Sequence, residues 1–107
     1  MSDTDALIAA ITDPMVREIA QRGRIRSFAK NTVVINEGDQ GDSIFVILSG
    51  RVKVYVSDTE GREMVLDLYG PGEYVGEMSL DGQPRSASVI TLEPTQCSVV
   101  KRDSLRE

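Results

Sequence analysis

The sequence has no histidine and no tryptophan, one cysteine, and only three tyrosines and two phenylalanines among 107 residues. The lack of histidine removes the commonest general base and any Ser-His or Cys-His nucleophile pair, so Ser79, Ser86 and Ser88 have no activating partner, although carboxylate or lysine mechanisms remain formally open. One thiol excludes an internal disulfide, and without histidine it cannot build the usual zinc, haem or iron-sulfur ligand sets, so no metal or cofactor is expected. Cys97 lies among strand residues and reads as a small core hydrophobe. No apolar run approaches membrane-spanning length, and the acidic start Met1-Ser2-Asp3-Thr4-Asp5 does not resemble a secretory signal. A cytoplasmic protein in a reducing compartment, with no membrane partner, is the expectation. Basic charge is also scarce. Twelve Lys and Arg against seventeen Asp and Glu give a formal charge of -5, so no global positive field collects nucleic acid. Lys101 and Arg102 read as a solvated strand end, and direct nucleic-acid contact by this domain is not expected. Any phosphate bound here must be held locally.

What is present reads as a single domain over 1–107, with a helical segment over 1–23, a β-rich body over 24–102 and the start of a further helix over 103–107. Ala6, Leu7, Ala10 and Ile11 recur at helical spacing, and Asp13-Pro14 supplies an N-cap followed by proline at the first helical position. Met15, Val16 and Ile19 mark the expected buried face of the second helix, and Gly23 its end. From residue 24 the pattern changes to short runs rich in valine and isoleucine, predicting strands over 24–28, 32–35, 43–48, 51–56, 62–68, 86–92 and 96–101. Turn residues punctuate them at Asn36-Glu37-Gly38-Asp39-Gln40-Gly41-Asp42, Ser49-Gly50, Asp58-Thr59-Glu60-Gly61 and Gly70-Pro71-Gly72. Asp39 and Asp42 lack the full calcium-loop ligand pattern and read as turn residues. Seven short strands with glycine turns fit a sandwich or jelly roll rather than a parallel sheet. Val52, Val54 and Val56 face one way and Lys53 and Tyr55 the other, which predicts one buried face. Asp103 is placed to cap a helix beginning at Ser104, and the chain reads as cut at a domain boundary, too short to carry an output domain as well.

One loop carries the chemistry. Gly76-Glu77-Met78-Ser79-Leu80-Asp81-Gly82-Gln83-Pro84-Arg85-Ser86-Ala87-Ser88 joins an acid, a guanidinium and free backbone amides on a glycine-punctuated stretch. Arg85 can offer a planar fork to phosphate oxygens, an ionised Glu77 can only accept hydrogen bonds, and loop N–H groups can add to an anion site. A phosphorylated ligand with a free hydroxyl, such as a sugar phosphate, needs both kinds of partner. Taken singly, Arg85 would be read as a surface ion-pair residue and Glu77 as a solvated acid; their joint placement reverses that.

Together with Gly38-Asp39, Leu48-Ser49-Gly50-Arg51-Val52-Lys53-Val54, Glu60-Gly61-Arg62-Glu63-Met64-Val65-Leu66, Gly72-Glu73-Tyr74-Val75-Gly76-Glu77 and Pro84-Arg85-Ser86-Ala87, this loop resembles the effector domain of Crp/Fnr-type cyclic-nucleotide-dependent regulators. The resemblance runs from Asp13 to Asp103. It implies a mainly β fold, a double-stranded β-helix (jelly roll or β-roll) with short N-terminal helices and a truncated C-terminal helix. It also implies a non-catalytic sensor of a cyclic nucleotide, cAMP favoured over cGMP, as a regulatory ligand rather than a cofactor. By that resemblance Arg85 holds the cyclic phosphate with the Ser86 hydroxyl and the Ser86 and Ala87 amides. Glu77 takes the ribose hydroxyl, Gly76 lets the backbone approach the sugar, and Met78 and Ser79 continue the cassette. Val54, Leu66 and Tyr69 line the purine side. Glu77 and Arg85 stand 8 positions apart, a residue or two closer than in familiar members, which implies a tighter turn between them. The helix that in the family follows the barrel, and through which it often forms homodimers, is missing beyond its first residues, and the effector domain lies outside this chain. The alternative is a β-roll interaction or dimerisation module that no longer responds to a nucleotide; a cupin-like enzyme would need metal-binding histidines.

Overall fold

The computed structural model describes residues 3–77 and 82–105. Two short helices, α1 (Asp3–Ala9) and α2 (Pro14–Gln21), precede eight strands: β1 (Arg24–Phe28), β2 (Val33–Ile35), β3 (Ser43–Ser49), β4 (Val52–Ser57), β5 (Glu63–Tyr69), β6 (Tyr74–Val75), β7 (Ser88–Thr91) and β8 (Thr95–Lys101); α3 (Arg102–Leu105) follows. The strands form two antiparallel four-stranded sheets, ordered β1-β8-β3-β6 and β2-β7-β4-β5. Each sheet alternates strands from the two halves of the sequence, as two interlocked Greek keys require, and this is the jelly-roll architecture expected. The two-residue β6 was not anticipated. A pairing this short leaves no alternation to read, and β6 exists because it pairs with β3 through Phe45↔Val75 and Val46↔Tyr74.

The helix α2 starts where its sequence says it should. The Asp13 carboxylate accepts hydrogen bonds from the Met15 and Val16 amides at 2.9 and 3.3 Å, with Pro14 beside it where no N–H is needed. Of its three expected core residues, Val16 is buried and Ile19 packs at the edge of the cluster, but Met15 is 71% exposed. The helix is eight residues long and touches the sheet along one narrow stripe centred on Val16 and Ala20, which turns Met15 outward. The helix caps on Arg22, one residue before Gly23. At the far end α3 begins at Arg102, so Asp103 sits inside its first turn instead of capping a later start.

Two apolar clusters divide the interior. Ile35, Phe45, Ile47, Val52, Val75, Val89 and Cys97 fill the space between the sheets, and Ile8, Ile11, Val16, Ala20, Val46 and Leu48 join the helices to the outer face of the β3 sheet. Strand β3 feeds both, because alternate side chains on a strand point to opposite faces. Burial of Cys97 pushes its thiol up to about 12, consistent with a core hydrophobe. The buried hydroxyls are satisfied: Ser98 donates to Ala20 O, and Thr91 donates to Ala29 O at 2.7 Å while accepting from the Thr32 amide at 2.8 Å. Among the described residues no helix is long and apolar enough to cross a membrane.

Candidate functional site

The residues expected to carry chemistry arrive from strand ends. Gly76 and Glu77 follow β6, Arg85, Ser86 and Ala87 lead into β7, Val54 lies on β4 opposite Val89 of β7, and Tyr69 ends β5 opposite Val52. They meet where β6 of one sheet diverges from β7, β4 and β5 of the other. There Val54, Tyr69, Gly76, Glu77, Arg85, Ser86 and Ala87 line one cavity of about 90 Å³, walled also by Ile35, Tyr74, Val75 and Val89. Seven of the ten sequence-predicted site residues are therefore brought together. Leu66 is not at that wall. It is the extra residue of a β-bulge, since Val54 pairs with Asp67 and the next residue, Tyr55, with Val65, and it stands 53% exposed. Met78 and Ser79, with the turn between Glu77 and Arg85 up to residue 81, lie outside the described residues.

Arg85 is the unusual member. A guanidinium only 8% exposed must have partners, because an uncompensated buried charge costs several kcal/mol. Its two terminal nitrogens donate to backbone carbonyls, Nη1 to Gly76 O and Nη2 to Ser43 O, both at 3.0 Å. Burial draws its pKa down and the charge of Asp42 opposes that shift; an arginine has ample margin to stay cationic at neutral pH. Its main chain is pinned too: Gly38 N donates to Arg85 O at 2.8 Å, and Arg85 N to Asp39 O at 2.9 Å. The loop read from the sequence as turn punctuation thus holds the Arg85 main chain in place. Ser43 O and Gly41 were missed, since a carbonyl has no sequence signal and a loop glycine is ordinarily a turn residue.

The rest of the cavity complements that charge. Among the described residues no hydrogen bond engages the Ser86 or Ala87 amide or the Glu77 carboxylate. Gly76 adopts φ +94°, a left-handed conformation open mainly to glycine, and a Cβ there would meet Ser43 O at 2.8 Å and Arg85 Nη1 at 2.9 Å. Burial, followed by the charge of Asp67 and a hydrogen bond to it, raises the Tyr69 phenol, with Glu77 and Glu73 adding to the shift, so Tyr69 is neutral at physiological pH. No group of three or more acidic or thiol ligands able to hold a metal occurs among the described residues. One cation, one acid and several amides, the acid and amides without hydrogen-bond partners among the described residues, surround a small cavity and suit an anionic ligand that also presents a hydroxyl.

The family model described as "Cyclic nucleotide-binding domain" matches residues 25–107. The chain belongs to that family. Its curated relatives are longer. The CRP-like cAMP-activated global transcriptional regulator of Mycobacterium tuberculosis is 36% identical over 80 residues, which cover 74% of this chain and 36% of that protein. Among solved structures, the catabolite activator protein of Thermus thermophilus superposes with a TM-score of 0.78 at 29% identity, covering 94% of this chain and 48% of the other. The EAL enzyme Bd1971 in its cAMP-bound form is 36% identical with a TM-score of 0.73, over 77% of this chain and 22% of its own; it is also known in a cGMP-bound form. This chain thus spans less than half of the regulator and the activator protein, and the cyclic nucleotide-binding domain is the part they share.

Proposed function

We propose that this domain is a non-catalytic cytoplasmic sensor of a cyclic nucleotide, with cAMP preferred over cGMP, and that it serves as the effector part of a Crp/Fnr-type regulator. The observation that carries this reading is the buried Arg85 sharing one small cavity with the Glu77 carboxylate and the Ser86 and Ala87 amides, none of which is engaged by a hydrogen bond among the described residues. Arg85 would neutralise the cyclic phosphate with those amides and the Ser86 hydroxyl, and Glu77 would accept the ribose hydroxyl. The cavity of about 90 Å³ is below the roughly 300 Å³ at which drug-sized ligand pockets begin. It takes the sugar phosphate, and the purine extends past Val54 and Tyr69 toward the exposed Leu66. The preference for cAMP rests on the relatives, which are cAMP-activated regulators; Ser86 does not decide it, since its hydroxyl can serve the phosphate or contact a guanine amino group. Binding would bias the placement of whatever follows α3, by no more than the ligand's differential affinity for the two placements.

Calorimetry with cAMP and with cGMP tests the proposal: saturable binding, tighter for cAMP, is expected. No heat from either at high micromolar concentration, in folded protein, would sink it and favour an interaction module that has lost its ligand. Arg85→Ala is expected to lose at least roughly 2 kcal/mol of binding free energy, since it removes a buried charge-assisted contact. An unchanged affinity would place the phosphate elsewhere.

A further inference from the structure

We infer that Gly41 is a positioning residue for Arg85: its missing side chain leaves the slot in which the guanidinium lies, so a bare position at 41 is a condition for anion binding. The inference rests on the reading of Arg85 as the phosphate ligand. A Cβ at Gly41 would meet Arg85 Nε and Nη2 at 2.8 Å and Cζ at 3.0 Å, and these three guanidinium atoms are the nearest that it would meet. Gly41, unlike Gly38 in the same loop, does not have a left-handed φ. Its backbone is therefore open to any residue, and space alone asks for glycine there.

The loop cannot step aside to make that space. On one side Gly38 and Asp39 are hydrogen-bonded to the Arg85 main chain. On the other, Asp42 O accepts from the Arg102 amide at 3.0 Å and Ser43 opens β3. With both ends tied, a methyl group at 41 must be accommodated by the guanidinium, which is held in turn by Ser43 O and Gly76 O. Those two bonds use two of its five N–H donors, leaving three for an anion, and they fix the plane of the fork. Displacing it by the several tenths of an ångström that a methyl group requires would break the carbonyl bonds and misdirect the remaining donors. Asp42 would then attract a guanidinium that no longer has carbonyls to hold it.

The test is a double-mutant cycle of Gly41→Ala and Arg85→Ala, read by cAMP affinity and by thermal unfolding. Gly41→Ala alone should weaken cAMP binding at least about tenfold, the scale of one charge-assisted hydrogen bond. In the Arg85→Ala background it should leave affinity unchanged and should not lower the melting temperature, because the atoms it strikes are gone. Should Gly41→Ala destabilise the fold, Arg85→Ala should relieve that loss. Equal effects in both backgrounds, or full affinity in Gly41→Ala, would overturn the inference. If the wild-type protein binds neither cAMP nor cGMP, the functional reading fails by itself. The slot is then judged on the ligand-free protein, by the Arg85 side-chain Nε–H resonance identified from its loss in Arg85→Ala. A shift of that resonance in Gly41→Ala supports the slot, and an unmoved resonance rejects it.

Discussion

Strands β3 and β5 are each seven residues long and similar in apolar content, Ser-Ile-Phe-Val-Ile-Leu-Ser against Glu-Met-Val-Leu-Asp-Leu-Tyr, yet Ile44 to Leu48 are all buried in the first and every residue but Tyr69 is exposed in the second. Position in the sheet makes the difference. β3 lies between β8 and β6, with the inter-sheet core under one face and the helices over the other, so a continuous apolar run is what its two buried faces call for. β5 is an edge strand with only β4 beside it, and it leaves Met64, Val65, Leu66 and Leu68 in solvent. Apolar content thus stabilises the fold at β3. At β5 it is surface on the strand whose end, Tyr69, lines the candidate cavity.

The largest expected effect separates the two strands by stability. Ile47→Ala, at a position with no exposure between the sheets, should cost about 2–5 kcal/mol through lost transfer energy and the cavity left behind, measured as the shift in urea midpoint at constant slope. A loss below about 1 kcal/mol would mean that β3 is not the anchor its burial suggests.

Much of this contrast is hidden from the sequence. Seven of the eight strands were legible, because valine- and isoleucine-rich runs bounded by glycine turns state their period directly, and their predicted limits fall within one or two residues of those observed; the short β6 was not. Strand count and turn spacing narrowed the class to a sandwich or jelly roll, and the family resemblance singled out the β-roll. Which strand ends up at an edge depends on long-range pairing, and nothing in Met64-Val65-Leu66 distinguishes it from Val46-Ile47-Leu48. The site shows the same division. Glu77, Arg85 and Gly76 could be read because each has a distinctive side chain or lacks one, whereas the Ser43 carbonyl that helps to orient Arg85 belongs to an ordinary residue, and Gly41 resembled a turn. The bulge that sets Leu66 apart is one added residue in a pairing register.

A second expected effect lies across the ladder from Ile47, at its partner Cys97. The free thiol titrates near 9.0, and burial pushes Cys97 up to about 12. Below pH 9 both folded and unfolded chains keep the proton, and the stability contributed by the buried neutral thiol is fully present. Between pH 9 and 12 the unfolded chain releases a proton that the folded chain retains. Stability should therefore fall as pH rises, by up to about 1.4 kcal/mol per pH unit. Unfolding titrations of wild type and Cys97→Ala across this range should diverge by that slope. Parallel curves would show that the thiol is not shielded as its burial implies. β5 has no counterpart to this effect, because no titratable group there is fully buried.

The smallest effect on stability is the most telling about function. Leu66→Gln, at an exposed bulge position on the edge strand, should change unfolding free energy by no more than about 0.5 kcal/mol. If the purine closes over this strand as proposed, the same substitution should weaken cAMP binding by about 1 kcal/mol, a part of what full burial of a leucine contributes. Its burden should appear mainly as faster dissociation. Stability and affinity would then separate at Leu66, as they cannot at Ile47, where unfolding and loss of the site coincide. A leucine whose replacement leaves both quantities unchanged would make the apolar edge of β5 irrelevant to the nucleotide, with the purine resting on Val54 and Tyr69 alone.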